Sequence, residues 1–295
     1  MTFSLDSSSA GPYVVEDRDQ GPTLVVTSRW SAAAGAALED PAVDGLELNY
    51  ARGYAAEDLS FLSDDLGIRR LQVLDRTLTD LTPVAEMRSL TELRVDSAPG
   101  TKLDVSALAS LRLLAADWEQ VEGLDGPEQL QELVLAGYDA DDLMPLSNVR
   151  GLRVLELLGR PKLRSVAGVE QQRDLTSLKM ANARQLDDFE PLGALDGLRQ
   201  ILFESVPGLD RIDYVRSHPH LRDLGFSDCG SIASLKPLQG LGELEYIGAS
   251  GSTRIEDGDL SPLLQLPNLR YLEMQNRRTY DPAVKDVQRA LEARA

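Results

Sequence analysis

Apolar residues recur along most of the chain in the pattern Leu-x-x-Leu-x-Leu, with polar residues between them. Clear copies begin at Leu90, Leu130, Leu152, Leu175 and Leu198, most of them 22 or 23 residues apart. Because the fourth and sixth places of each copy alternate with polar places, each copy predicts a short strand with one buried face. One copy cannot bury its apolar side alone. The copies are therefore expected to stack as ribs that pair their strands in parallel.

The places of each rib are numbered here from its first apolar residue. For the fourth rib, the register Leu108/Leu111/Leu113 competes with Leu111/Leu114/Ala116, and the pattern leaves both open; the first is adopted. The predicted first places are Val43, Ile68, Leu90, Leu108, Leu130, Leu152, Leu175, Leu198, Leu221, Leu244 and Leu269.

A proline marker repeats with the same period. Asp80-Leu81-Thr82-Pro83 has counterparts that end at Pro145, Pro191, Pro237 and Pro262. Proline lacks an amide donor and fixes φ, so it suits the limb of the rib outside the sheet. The limbs are short, which predicts turns and 3₁₀ pieces there rather than long helices.

These two markers resemble those of leucine-rich repeat proteins, and within them the internalin-like class, over roughly residues 43–276. The resemblance implies an α/β, β-dominated right-handed solenoid. It would have about eleven parallel short strands on a concave face, turns and 3₁₀ pieces on the convex side, and a C-terminal capping helix. The family usually has Asn or Cys at the ninth place, and here only Cys229 matches. Bound water is expected to replace the missing ladder of side chains.

A repeat array exposes its core at both ends unless it is capped. Asp281 is a good N-cap and Pro282 a good first helical residue, so a helix over 281–294 is expected to close the last rib. The predicted organisation is a flexible tail at 1–10, an N-terminal cap with two strands and a short helix at 11–42, the repeat array at 43–276, and the C-terminal capping helix at 277–295.

Composition narrows the function classes. The chain has 295 residues with 30 Lys+Arg against 48 Asp+Glu, a formal charge of −18. This acidity argues against sequence-independent nucleic-acid binding and against an anionic membrane surface. A single cysteine excludes an intramolecular disulfide framework. No segment is apolar enough for a membrane span, and the start has no secretory signal pattern, so a cytoplasmic protein is expected.

Few residues suit catalysis or metal binding. His218 and His220 are the only histidines, and His218 takes the place of Leu195 in the preceding rib, so packing is favoured over metal ligation. Cys229 is expected to be an inert buried thiol. The acidic run Asp139, Asp141 and Asp142 lacks the spacing of a calcium loop. We therefore expect no enzyme activity, no metal and no cofactor.

The third, fifth and seventh places should face solvent on the concave side, opposite the core leucines. Apolar residues with a charged rim group there in the middle of the array, which is how interfaces look. Two alternatives remain: a register shifted by one, or a cap segment folded over the patch. The predicted partner-binding residues are Leu74, Arg94, Arg112, Leu114, Val134, Val154, Glu156, Leu158, Lys179, Leu202, Tyr246 and Tyr271.

The sequence thus predicts a non-enzymatic, monomeric module that binds a partner protein on its concave face. Its acidity favours a basic partner. An intracellular regulator or an immunity-type neutralising protein fits this class. The alternative is a structural protein that self-associates into a homo-oligomer.

Overall fold

The computed structural model describes residues 11–55 and 58–294. The predicted tail, 1–10, lies outside the described residues. The chain divides into two compact units, an N-terminal unit that ends at Gln129 and a C-terminal unit that begins at Leu130. Each unit is described by itself.

The N-terminal unit is built on parallel strands that follow an antiparallel hairpin. The hairpin strand β1 pairs with β2, and β2, β3, β4, β5 and β7 then pair in parallel in that order, while β6 pairs with β8. The strands are β1 Tyr13–Arg18, β2 Gly21–Val26, β3 Gly45–Asn49, β4 Arg70–Leu74, β5 Glu92–Asp96, β6 Leu103–Asp104, β7 Leu113–Asp117 and β8 Val121–Glu122.

The C-terminal unit carries seven parallel strands in one sheet, and a small second pair, β14 with β16, on the return limbs. The strands are β9 Glu132–Ala136, β10 Val154–Leu158, β11 Ser177–Ala181, β12 Gln200–Glu204, β13 Asp223–Ser227, β14 Ser231–Ile232, β15 Tyr246–Ala249, β16 Arg254–Ile255 and β17 Tyr271–Met274.

The repeat period places equivalent residues in register in this sheet. Leu155 pairs with Leu133 on one side and with Leu178 on the other, and all three are fully buried. Ile201 and Leu224 continue the same row across β12 and β13. The predicted core row of stacked ribs is therefore confirmed. The places between the core residues point to the opposite face of the sheet.

The register adopted for the fourth rib is wrong. Leu114 pairs with Leu93 of the preceding rib and is fully buried. The alternative register, Leu111/Leu114/Ala116, is the observed one, and Leu114 is a core residue rather than a solvent-facing one. Arg112 consequently falls at the second place, immediately before β7, where it is exposed. The error arose because leucines spaced by three residues satisfy both registers, and only pairing with β5 distinguishes them.

The return limbs consist of short helical turns, as predicted. The proline of each marker lies in the first turn of such a segment, where its missing N–H has no intrahelical partner to lose. The α-helical segments are α1 Ala32–Ala37, α2 Thr82–Ala85, α3 Ser261–Leu264 and α4 Val284–Glu292. The 3₁₀ segments are Tyr50–Arg52, Asp64–Leu66, Trp118–Gln120, Met144–Leu146, Val169–Gln171, Glu190–Ala194, Asp213–Ser217 and Lys236–Leu238.

The first residue of the proline marker forms a side-chain turn just before the helical segment. Asp80 Oδ1 accepts the amide of Thr82 at 2.9 Å, and Asp259 Oδ1 accepts that of Ser261 at 2.9 Å. The equivalent Ser234 uses its Oγ to accept the amide of Lys236 at 3.1 Å. In the ribs that carry it, the marker is thus a turn that starts the helical segment of the return limb.

Side chains outside the ninth place satisfy buried backbone groups. Buried Gln172 donates Nε2 to the Leu146 carbonyl at 2.8 Å, and buried Thr253 donates Oγ1 to the Phe226 carbonyl at 2.6 Å while accepting the amide of Cys229 at 3.0 Å. At these positions a bridging side chain makes the hydrogen bonds to the backbone that were expected from bound water.

The two ends differ from the repeats. The hairpin β1–β2 and α1 precede the first rib, and Ser31 caps α1 by accepting the amide of Ala34 at 3.2 Å. Helix α4 packs Val284, Val287 and Leu291 inward. It starts later than predicted, because Asp281 forms a β-bridge with Asp259 instead of capping the helix.

Candidate functional site

The open sheet face of the C-terminal unit, formed by the third, fifth and seventh places of its strands, carries the site. The fifth-place row runs from Val134 through Glu156, Lys179 and Leu202 to Gly225, each in register with its neighbour. Period-two alternation turns these side chains away from the buried leucines. The side chains on this face therefore do not pack in the core and are available for other contacts.

A depression of about 410 Å³ lies on this face. Five of the predicted residues line it: Glu156, Leu158, Lys179, Leu202 and Tyr246. All five are half-buried, as expected for side chains that stand on a sheet with one side open. Their convergence from β10, β11, β12 and β15 makes this depression the candidate binding site.

Gly225 lines the depression, and Gly248 lies beneath Tyr246, one of its walls. Gly225 on β13 and Gly248 on β15 are buried, and neither has a positive φ, so the backbone does not require glycine there. A Cβ on Gly225 would lie 2.8 Å from Leu202 Cδ2, and one on Gly248 would lie 2.6 Å from Tyr246 Oη. The glycines leave room for these two side chains to lie across the sheet. Glycine within a strand often marks such a close approach.

The phenol of Tyr246 is held in place from the next rib. Its hydroxyl donates to Glu273 Oε2 at 2.9 Å. Burial, and then the adjacent Glu273 carboxylate, raise the pKa of Tyr246 above its ordinary value, so the phenol stays protonated and remains a donor. The hydrogen bond fixes the ring as a wall of the depression.

Carboxylates outnumber cations around the depression. Glu156, Glu204 and Asp228 line it together with the single cation Lys179. Among residues 11–55 and 58–294, none of these four side chains forms an ion pair. The site therefore presents unneutralised negative charge beside an apolar centre.

A second depression of about 410 Å³ adjoins the far side of Tyr246. It is lined by Tyr271, Arg270 and Glu273 of the last rib and by Gln288 and Leu291 of α4. Tyr271 is 66% exposed, more than any other large apolar or aromatic residue of the described chain. The ring of Tyr246 thus separates two adjacent hollows.

The other predicted residues do not join this depression. Val134 and Val154 lie on the same face at its start, half-buried on β9 and β10. Leu74 and Arg94 lie on the corresponding face of the N-terminal unit, half-buried and exposed respectively. Arg112 is exposed beside that unit's sheet, and Leu114 is in its core.

The cap does cover part of the open face of the N-terminal unit. Glu47 occupies the fifth place of the first rib, yet it is buried. Arg18 of β1 forms an ion pair with its carboxylate, and Asn49 Nδ2 donates to Glu47 Oε1 at 2.8 Å. The alternative of a covering segment therefore applies to the first rib of that unit.

The depression is also lined by Glu204, Ser227, Asp228 and Ser250, which are not among the partner-binding residues predicted from the sequence. The register turns Glu204, Ser227 and Ser250 outward, but these residues are polar and the prediction rested on apolar residues with a charged rim. Asp228 follows β13 with φ +54, in a row of left-handed residues at the eighth place of successive ribs. That row, Gly137, Gly159, Asn182, Ser205, Asp228 and Gly251, is visible in the sequence as a period of small and Asx residues.

The residues considered for chemistry lie elsewhere. Burial raises the pKa of the Cys229 thiol to about 11, so the thiolate needed for nucleophilic attack is scarce at neutral pH. His218 is fully buried, and His220 Nδ1 lies 2.7 Å from Glu243 Oε1 on the surface.

Within 11–55 and 58–294, no group of three or more His, Cys, Asp or Glu side chains is arranged to hold a metal ion. None of the helices in these ranges combines the length and apolarity needed to cross a bilayer.

Comparisons with known proteins identify the fold. No protein-family model matches the sequence, and no curated protein matches it. Internalin C2 from Listeria monocytogenes is similar in structure with a TM-score of 0.50 and 19% identity, over 65% of this chain and 83% of that one. A structure described as a TDR receptor is similar with a TM-score of 0.59 and 15% identity, over 84% of this chain and 46% of that one.

These similarities show the fold and nothing finer, because the identities are below 25%. The predicted internalin-like leucine-rich repeat fold, β-dominated with short helical pieces, is confirmed. A shared fold does not transfer a partner or an activity.

Proposed function

We propose that this protein is a non-enzymatic recognition module that binds a partner protein on the open sheet face of its C-terminal unit. The observation that carries the proposal is the depression in which Leu158, Leu202 and Tyr246 form an apolar centre within a charged rim. An apolar centre with a polar rim is the usual composition of protein interfaces. Proteins with this fold commonly serve as binding scaffolds, which agrees with the proposal.

The proposed partner is basic. The chain carries a formal charge of −18, and the depression itself has three carboxylates against one cation. Such a field accelerates encounter with a cationic protein and disfavours an acidic one. A cytoplasmic regulator, or an immunity-type protein that neutralises a basic partner, fits this description. Cell fractionation tests the location.

The absence of catalysis is part of the proposal. Its support is that the buried thiol and the buried histidine are both remote from solvent, while the exposed His220 is engaged by Glu243. No nucleophile, base and stabiliser converge on the depression within the described chain.

Affinity capture from extract of the native cells tests the proposed function. The wild type is compared with the double variant Leu158→Ser/Leu202→Ser. The matched control is Met144→Ser, which also replaces a partly exposed apolar residue of the same unit but lies on a return limb, 49% exposed. We expect one protein to be retained by the wild type and by the control and lost by the double variant.

Stability separates lost binding from lost folding. Each leucine is half-buried, so its replacement should lower the free energy of unfolding by about 1 kcal/mol. Urea unfolding followed by circular dichroism measures this cost. A partner captured equally well by the folded double variant would contradict the proposed site.

The alternative function is self-association, and the β1 edge favours it. Strand β1 pairs only with β2 among the described residues, and Val14 and Val15 on it are 37% and 47% exposed. An open edge strand with exposed valines is a template for pairing with a second copy. Light scattering at high micromolar concentration decides: a monomer excludes this route, and a dimer lost on Val15→Lys supports it.

A further inference from the structure

We infer that the depression receives an arginine side chain of the partner, flanked by a large apolar residue. This inference rests on the proposed function and deepens it, because it names the group that the site recognises. It follows from three features of the depression: its space, its fixed aromatic wall and its pair of unneutralised carboxylates.

The space suits one long side chain lying close to the sheet. Gly225 and Gly248 present no side chain at two neighbouring fifth places, where other ribs carry Val134, Glu156 or Lys179. Leu202 and Tyr246 lie over the two glycines and so stay close to the backbone of the sheet. A partner segment can therefore approach this part of the sheet more closely than the remaining ribs would allow.

The aromatic wall suits a planar cation. Tyr246 is half-buried, and its hydrogen bond to Glu273 at 2.9 Å fixes the ring before any partner arrives. A guanidinium group stacks on an aromatic face and tolerates partial desolvation better than an ammonium group. A preformed ring lowers the ordering cost of that contact.

The carboxylates supply the charge. Glu204 ends β12, and Asp228 follows β13 directly, so the two lie on adjacent ribs at one end of the strands. Asp228 is oriented by accepting the amide of Ser252 at 2.8 Å, and Glu204 makes no side-chain hydrogen bond within the described chain. Lys179 is on β11, two strands from Asp228, or about 10 Å at ordinary strand spacing. Glu204 is on the adjacent strand β12, but Lys179 forms an ion pair with neither carboxylate within the described chain, so this end of the depression has no cationic partner.

A cleft of about 570 Å³ on the return limbs is also acidic but fits less well. Its carboxylates include Asp188, Asp210 and Asp213. Asp213 is already paired with Arg211 at 2.9 Å, and Asp188 accepts the hydroxyl of Ser165 at 2.6 Å and the amide of Glu190 at 3.2 Å. Because Asp188 and Asp213 are already engaged, the cleft serves as the matched control surface.

The test selects binders from a random 12-residue peptide library displayed on phage, with the full chain as target. We expect enrichment of arginine next to a large apolar residue. A consensus peptide is then synthesised with arginine, lysine or citrulline at the anchor position, and its affinity is measured by fluorescence anisotropy. Citrulline keeps the shape and removes the charge, so it should weaken binding by about tenfold or more. Lysine should fall between the two.

Variants of the protein locate the contact. Glu204→Gln/Asp228→Asn preserves shape and should lower the affinity for the arginine peptide by about tenfold or more, with little effect on the citrulline peptide. Asparagine also accommodates the left-handed backbone at position 228. The control Asp210→Asn/Asp213→Asn removes two carboxylates from the return-limb cleft and should leave both affinities within about twofold.

The outcomes distinguish this inference from the proposed function. If the peptides need Leu158 and Leu202 but bind equally well with citrulline, the arginine assignment is wrong and the binding face stands. If binding survives Leu158→Ser/Leu202→Ser, both fail. A library that yields only acidic or purely apolar binders, or none, also overturns the assignment.

Discussion

Replacing His218 with leucine should stabilise the C-terminal unit. His218 is fully buried, and neither ring nitrogen forms a hydrogen bond within the described chain. The neighbouring ribs have Leu195 and Leu241 at the same place, both in the core. An unsatisfied buried polar group costs roughly 1–3 kcal/mol, so His218→Leu should raise the free energy of unfolding by about 1–2 kcal/mol at pH 7.5.

The same replacement should remove a pH dependence. Burial lowers the pKa of His218, opposed more weakly by the Leu195 backbone and by Asp196. The unfolded chain therefore takes up the proton at higher pH than the folded one. Stability is complete above the unfolded value of about 6.5 and falls as the pH drops below it, by up to about 1.4 kcal/mol per pH unit. The advantage of His218→Leu should thus be larger at pH 5.5 than at pH 7.5.

Urea unfolding at pH 5.5, 6.5 and 7.5, followed by circular dichroism, measures both effects. His220→Gln is the matched control, because His220 is exposed and its loss relieves no buried polar group. This control should not be more stable than the wild type at pH 7.5. A leucine variant that is less stable at pH 7.5, or whose advantage does not change with pH, would refute the reasoning.

Three further predictions concern the register, the depression and the thiol. In urea unfolding, Leu155→Ala should cost about 2–5 kcal/mol as a core truncation, whereas Leu158→Ala, on the open face, should cost about 1 kcal/mol; equal costs would contradict the register. Gly225→Ala places a methyl group 2.8 Å from the flexible end of Leu202, so anisotropy should show weaker binding of library-selected peptides while urea unfolding changes little; unchanged affinity would show that the floor is not used. Cys229, with its pKa raised to about 11, should react with a thiol-specific chromogenic reagent far more slowly in the native protein than in urea at pH 8, and equal rates would show that the thiol is accessible.

Features that repeat with the rib period were predictable from the sequence. Features that depend on one contact between residues distant in the sequence were not. Leu133, Leu155 and Leu178 are one period apart, so their common row followed from spacing alone. The fourth rib contains leucines that fit two registers, and pairing of Leu114 with Leu93 is a long-range fact that no local pattern encodes. Helix α4 begins after Pro282 because Asp281 bridges to Asp259, which is again a contact between distant positions.

The same distinction explains why the proposed binding face was only partly predictable. The alternation of places turned Glu156, Leu158, Lys179 and Leu202 outward, but it could not show that they line one hollow with Asp228. Gly225, at one of its fifth places, has no side chain, and glycine alone in a sequence signals either a turn or a close approach. Its charge depends on which carboxylates remain unpaired, a property of side-chain geometry.

The core places and the open-face places of a rib have separate roles. The fold can therefore specify a partner through its open face without losing stability. The first, fourth and sixth places hold the core, and a residue such as Leu224 cannot change without cost. The intervening places, Asp223 and Gly225 on the same strand, face the open side and contribute little to the stack. The residues at those places can therefore change, one rib at a time, to suit a partner. Gly225 and Gly248 depart from the side-chain-bearing fifth places of most other ribs, and neither the core nor the backbone angles require glycine there.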